Sequence, residues 1–235
     1  MYQAFKRFIK HLLLKSSNKY YFLNTSANCK HRWYGNSYGG FYVNPTMLNE
    51  NSIVYSFGIG EDISFDKAII EKHNCQVFGF DPTPKSINWI ENQELPANFK
   101  YFNYGLSDKS GLFDFYLPKN PDWVSGSMVI QDNLNTNEKI SVEMKSLEDI
   151  VKELGHEQID VLKMDIEGSE YNVIDSILDS KVFVNQILIE FHDRFFENGV
   201  KKTQQAIMKL KEHGYEIFAV SSSYEEISLI HKDSI

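Results

Sequence analysis

Two apolar runs in the second half of the chain end in side chains that can hold or move a proton. The first, "IDVLKMDIEGSEY", carries Lys163 within the run and ends in Asp165, with Glu167, Ser169 and Glu170 close behind. The second, "QILIEFHD", ends in Glu190 and His192. If both are strands, alternation puts Val161, Lys163 and Asp165 on one side and Leu162 and Met164 on the other, and it brings Glu190 and His192 together. In neighbouring strands, Lys163, Asp165, Glu190 and His192 form one catalytic cluster. Asp165 or His192 could take a proton there, and Asp165, Glu190 and His192 together suit a divalent metal such as Mg²⁺ or Mn²⁺. A buried lysine needs carboxylate partners, so Lys163 reads as an anchor for Asp165 or a partner of Glu190, and the competing reading is an ion pair that merely satisfies it. Glu167 and Glu170 fall in the first turn of a helix, where carboxylates are favoured by the dipole alone, and Glu170 reads as a helix-start acid.

A second constellation lies upstream. In "VYSFGIGED", Gly58 and Gly60 allow a sharp turn and close approach to a ligand, and the following helix offers amides to an anion. The run "VFGFDP" ends in Asp81, 23 residues after Gly58. An acid at that distance can accept hydrogen bonds from two ribose hydroxyls, the alternative being a turn residue before Pro82. Together these features predict an adenosine-containing cofactor. A dinucleotide site calls for a third glycine where Ile63 stands, so S-adenosylmethionine is favoured over a nicotinamide cofactor.

The elements that must position these residues alternate strand and helix. Apolar runs at 53–57, 76–80, 99–104, 160–164 and 186–191 read as strands; helical spacing covers about 62–73, 84–92, 146–155, 168–178 and 201–213. Ser146 is placed to cap its helix, with Asp149 three residues on and Gly155 past the end. The expected fold is α/β: a doubly wound, mostly parallel, seven-stranded Rossmann-like sheet with one strand reversed by the terminal hairpin. Alternating patterns between 111 and 145 predict extra strands at a sheet edge.

A chain of 235 residues with 42% hydrophobic content can bury one sizeable core, which excludes a disordered or low-complexity class. Cys29 and Cys75 match no zinc spacing and no disulfide framework, so a reducing, cytoplasmic setting is expected. Residues 1–31 form a basic N-terminal arm, with Phe5, Phe8, Ile9, Leu12 and Leu13 at helical spacing opposite Lys6, Arg7, Lys10 and Lys15. Such a helical arm docks on the domain or a second subunit of a homo-oligomer, or makes peripheral contact with an anionic membrane. No signal-peptide core and no run of about 18 apolar residues is present. From Trp33 onward, 17 basic residues face 32 acidic ones, which argues against nucleic-acid binding.

Over about Arg32 to His231, the chain resembles FkbM-type methyltransferases, a branch of the class I S-adenosylmethionine-dependent enzymes. The carriers are "LKMDIEGSEY" above all, then "VYSFGIGEDISFD", "VFGFDPTP", "YGLSDKSG", "SLEDIV" and "ILIEFH". The resemblance implies that residues 32–235 form the cofactor-binding domain and transfer a methyl group to a hydroxyl, often on a sugar or a glycosylated product. It also implies that Gly58, Gly60 and Glu61 contact the amino-acid end of the cofactor, Asp81 and Pro82 the ribose, and Ser107 and Asp108 the adenine. Asp165 would face the transferred methyl. Many such enzymes have an acid two residues before the first glycine, where this chain has Ser56; Glu61, Asp62 or Asp165 would then hold the methionine amino group. Rival classes are a binding module that keeps the fold without catalysis and a nicotinamide-dependent oxidoreductase. Trp33, Tyr34, Tyr38, Phe41 and Trp123 are aromatics able to stack on a small-molecule or glycan acceptor.

Overall fold

The computed structural model describes residues 19–119, 127 and 134–235, without the side chains of 134–138. The expected helix of the basic arm and Trp123 lie outside the described residues.

A seven-stranded sheet organises the protein. Strands β3 (Ile53–Phe57), β4 (Gln76–Phe80) and β5 (Phe99–Phe102) run outward from the middle to one edge. The chain then returns to the other side of β3 through β9 (Gln158–Met164), β10 (Phe183–Glu190), β11 (Tyr215–Val220) and β12 (Glu226–His231), in the spatial order β11-β12-β10-β9-β3-β4-β5. β12 pairs antiparallel with both neighbours and is the one reversed strand. The direction of winding therefore switches between β3 and β9, and crevices at such points receive ligands beyond the strand carboxyl ends. Both faces of the parallel strands are buried, which is why they read as near-continuous apolar runs.

Five helices cover the sheet: α1 (Ser64–His73), α2 (Pro84–Ile90), α3 (Leu147–Leu154), α4 (Glu170–Asp179) and α5 (Gly199–Glu212). Leu162 and Met164 pack toward α3, α4 and α5, whereas Val161 packs toward α1 and the short hairpin β1 (Arg32–Tyr34) and β2 (Phe41–Val43), as strand alternation requires. Local signals are met where expected. Ser146 Oγ accepts from Asp149 N, Gly155 closes α3 in the left-handed conformation, and Pro84 opens α2 after its cap Thr83.

One expectation changes, and the described end of the arm takes one of the positions expected of it. The additional strands do not extend the main sheet: β6 (Gly105–Leu106), β7 (Gly111–Pro118) and β8 (Leu134–Lys145) form a separate three-stranded sheet, because β6 pairs with β8 rather than with β5. The end of the arm, from residue 19, lies against the domain. Leu23 and Ala27 are buried in the two cores, Ser26 and Ala27 donate to Ile217 O, and the Tyr20 hydroxyl donates to Asp193. Both cysteines are free, and no described helix is long and apolar enough to cross a membrane.

Candidate functional site

The carboxyl ends of β3 and β9 are locked together at one glycine. Asp165 N donates to Phe57 O, and Gly58 N donates to Phe80 O, so the turn after β3 lies between β4 and β9. Gly58 takes φ +78°, and a Cβ there would stand 1.7 Å from Asp165 O. Gly60 is left-handed as well, at φ +55°. Only glycine satisfies both the conformation and the approach at Gly58.

Above this turn a cavity of about 460 Å³ opens. Gly58, Gly60, Glu61 and Asp62 form its β3 side, with Asp81 and Pro82 from the end of β4 and Lys163 and Asp165 from β9. Phe80, Leu106, Phe115 and Met144 make an apolar wall, the last three contributed by the small sheet, and Asn36, Tyr38 and Gly39 of the β1–β2 loop close another side. That loop is fastened to the first turn of α1: Asn36 Nδ2 donates to Asp62 Oδ2, and Asn36 N donates to Ser64 Oγ.

Asp81 is buried and organises its own turn. Its Oδ2 accepts from Gly60 N at 2.8 Å, and its Oδ1 accepts from Thr83 N at 2.8 Å and Thr83 Oγ1 at 2.6 Å. Burial pushes its pKa up against these stabilising bonds. Oδ2 has one protein donor, so an acceptor position remains for a ligand hydroxyl.

The predicted catalytic cluster forms in part. Register places Asp165 beside Glu190, since Met164 pairs with Ile189. His192 Nε2 then faces Glu167 Oε2 at 3.4 Å, Asp165 Oδ1 at 3.6 Å and Glu190 Oε1 at 3.7 Å. Its Nδ1 donates to Glu170 Oε1 at 2.8 Å, and its ring stacks on Phe195. Burial alone would lower the His192 pKa, but the Glu170 charge and hydrogen bond, with Asp165 and Glu167, lift it to about 10. Desolvation, then the Asp165 charge, raises Glu190 to about 9. Both shifts favour the protonated form, and Asp165 lines the cavity together with Glu167 as the sequence-predicted candidate to accept a proton.

Several assignments shift. Lys163 joins neither Asp165 nor Glu190: its Nζ donates to Phe57 O at 3.5 Å and Gly58 O at 3.3 Å, because it points to the α1 face of the sheet. Ser56 lies buried under the turn rather than in the cavity wall. Ser107 and Asp108 are not wall residues either. Ser107 N donates to Lys145 O and its hydroxyl to Asp108, so the preceding Gly105 and Leu106 line the cavity instead. Glu170 is more than a helix-start acid: it is fully buried, and its Oε1 takes both Gly168 N and His192 Nδ1. Asp66, buried in the first turn of α1 and lining the cavity, is a residue that motif reading missed.

A winding switch, a glycine turn and an acid at the end of the next strand are the features with which Rossmann-like folds form nucleoside-cofactor crevices. The chain belongs to the methyltransferase FkbM domain family, whose model matches residues 52–217. It is similar to the probable methyltransferase-like protein 24 of Homo sapiens, 25% identical over 80% of this chain and 47% of that protein. It is also similar to the 2-O-methyltransferase NoeI of Sinorhizobium fredii, 26% identical over 63% of this chain and 66% of that one. A third relative is the hexuronic acid methyltransferase AglP of Haloferax volcanii, 26% identical over 53% of this chain and 51% of that one. The chain spans about half the length of the first of these.

Proposed function

We propose that the protein transfers a methyl group from S-adenosylmethionine to a hydroxyl of a sugar or glycan. The observation that carries this reading is that one cavity runs from the glycine turn and Asp81 to Asp165. Family membership supports methyl transfer, and the names of two relatives, a 2-O-methyltransferase and a hexuronic acid methyltransferase, support a sugar hydroxyl as acceptor.

The residues present fit that cofactor. The acceptor capacity left on Asp81 suits ribose hydroxyls, and the wall of Phe80, Leu106, Phe115 and Met144 suits a flat heterocycle. The cofactor supplies a methyl group on a positively charged sulfur. Asp165 stands at the mouth shared by cavity and acid cluster, where it would take the acceptor's proton, while His192 and Glu170 behind it fix the cluster's geometry. Tyr38, exposed on the loop and within electrostatic reach of Asp165, Glu167 and Glu190, gives the acceptor an aromatic surface.

One observation favours a second version of the same chemistry. Because Nδ1 is committed to Glu170, His192 Nε2 points at three carboxylates from distances too long for hydrogen bonds, and Asp165, Glu190 and His192 could jointly hold a divalent ion. Mg²⁺ or Mn²⁺ there would acidify a bound sugar hydroxyl.

Incubation with methyl-labelled S-adenosylmethionine and a panel of nucleotide sugars and glycans, followed by mass spectrometry, tests the proposal. The expected result is a gain of one methyl on a sugar oxygen. Binding of S-adenosylmethionine without turnover on any hydroxyl would favour the binding module, and binding of NADH in its place would favour an oxidoreductase. Turnover that survives EDTA removes the metal version.

A further inference from the structure

Beneath the cavity, on the α1 face of β9, lie two opposite charges that do not neutralise each other. Lys163 is 4% exposed and Asp66 is 1% exposed, and both reach the cavity. No ion pair joins them among the described residues. Lys163 Nζ instead makes two long bonds to the carbonyls of Phe57 and Gly58 and lies 5.5 Å from the centre of the Phe41 ring, so none of these partners supplies a counter-charge. Neither Asp66 Oδ1 nor Ser56 Oγ has a partner at full hydrogen-bond geometry, and the Ser56 hydroxyl beside Asp66 only partly offsets the effect of its burial.

Such an arrangement is costly in isolation. A buried carboxylate oxygen without a donor loses its hydration and gains nothing in return. Burial accordingly pushes the Asp66 pKa up, with Lys163 the first charge opposing that rise. A buried cation and a buried anion at the floor of one cavity, held apart by the fold, are complementary to a ligand end that carries both charges.

We infer that Asp66 and Lys163 form a receptor for a zwitterionic α-amino-acid group, Asp66 taking the ammonium and Lys163 the carboxylate, at the floor of the cofactor cavity. The inference rests on the proposed S-adenosylmethionine reading, whose methionine end has this chemistry. It assigns the ammonium to neither Glu61, Asp62 nor Asp165. Glu61 and Asp62 have other partners: Glu61 Oε2 lies 3.7 Å from Lys85 Nζ, and Asp62 accepts from Asn36, Ser64 N and Ser64 Oγ. Asp165 faces His192.

Calorimetry with three unreactive probes separates this receptor from the rest of the site. S-adenosylhomocysteine carries the amino-acid end, and methylthioadenosine keeps the nucleoside but lacks that end. In the wild type, S-adenosylhomocysteine should bind more tightly, and its decarboxylated analogue should fall between the two. Asp66→Asn and Lys163→Met should each weaken S-adenosylhomocysteine by about 10- to 100-fold, the scale of a lost hydrogen bond to a charged group, while methylthioadenosine changes by less than about twofold. Unchanged methylthioadenosine affinity also shows that the variant is folded. Should a variant fail to fold, the ligand series on the wild type still decides. Equal binding of all three probes, or equal weakening of both in the variants, overturns the receptor and leaves the cofactor reading standing. If the wild type binds none of the three, the cofactor reading itself falls and the receptor with it.

Discussion

β9 carries charge on two sides of its carboxyl end, and the two groups are built in opposite ways. Toward α1, Lys163 and Asp66 are one cation and one anion kept apart. Past the strand end, four carboxylates crowd one imidazole: Glu170 on Nδ1, and Asp165, Glu167 and Glu190 around Nε2. The first group is balanced in charge but unsatisfied in hydrogen bonds, so it gains most from a ligand that is itself zwitterionic. The second leaves Glu170 Oε2 unpartnered too, but what sets it apart is its excess of acid, which a positive charge on or beside Nε2 offsets. A separated pair stores binding capacity for a neutral-overall group, whereas a crowded acid cluster stores affinity for protons and cations.

Gly58 holds both groups in register, so its replacement should have the largest effect. Gly58→Ala must either push the turn after β3 away from Asp165 O or abandon φ +78°. We expect a loss of about 4 kcal/mol or more in urea denaturation, or no folded protein, since steric overlap with backbone adds to positive-φ strain. A folded Gly58→Ala protein with wild-type stability and wild-type S-adenosylhomocysteine affinity would show that the two groups are not coupled through this turn.

Asp165→Asn separates the groups functionally. Turnover should drop by about 10²- to 10⁴-fold, the range for loss of a general base, while affinity for S-adenosylhomocysteine stays within a few fold because the α1-side pair is untouched. Full activity in the variant would remove Asp165 as the proton acceptor.

Glu170→Gln tests what holds the crowded side. The fully buried Glu170 is the one carboxylate at hydrogen-bond distance from His192, and removing its charge leaves a buried imidazolium with only looser neighbours. Breaking a buried pair costs about 3 to 5 kcal/mol when a charge is stranded, and His192 can recover part of this by losing its proton, so about 2 to 3 kcal/mol is expected in thermal or urea unfolding. A smaller His192 pKa elevation, read by NMR titration, should accompany it.

These two groups were unequally legible in the sequence. Asp165, Glu190 and His192 end apolar runs, and period-two alternation with neighbouring strands suffices to bring them together. Lys163 was visible but its partners were not, because they are backbone carbonyls of the turn after β3, about a hundred residues earlier in the chain. Glu170 and Asp66 were missed for a shared reason: each lies in phase with a buried helical stripe. Asp66 precedes Ile69 by three, and Glu170 precedes Val173, Ile174 and Ile177 by three, four and seven, so helical periodicity already marked both as buried acids. The mostly parallel sheet with one reversed strand followed from the alternation of strand and helix and from the terminal hairpin. The separate small sheet did not, since two residues of β6 choosing β8 over β5 is a tertiary choice with no local signature.

The smallest effect concerns pH, and it distinguishes a proton from a metal at Nε2. His192 rises from its ordinary 6.5 to about 10 in the folded protein, so its stabilising contribution is complete below about pH 6.5 and is lost as pH climbs through 10. Glu190 rises from 4.5 to about 9, which means that the folded protein keeps a proton the unfolded chain releases above 4.5. Both terms have the same sign: stability should fall gradually from about pH 5 to pH 10, and Glu190→Gln should flatten the part of the curve below pH 9. A divalent ion would compete with these protons, so about 1 mM Mn²⁺ should raise the melting temperature more at pH 9 than at pH 6 if the cluster binds metal. A melting temperature indifferent to Mn²⁺ and Mg²⁺ at pH 9, with the proton-linked slope intact, assigns the positive charge at Nε2 to the imidazolium and leaves Asp165 to act without a metal.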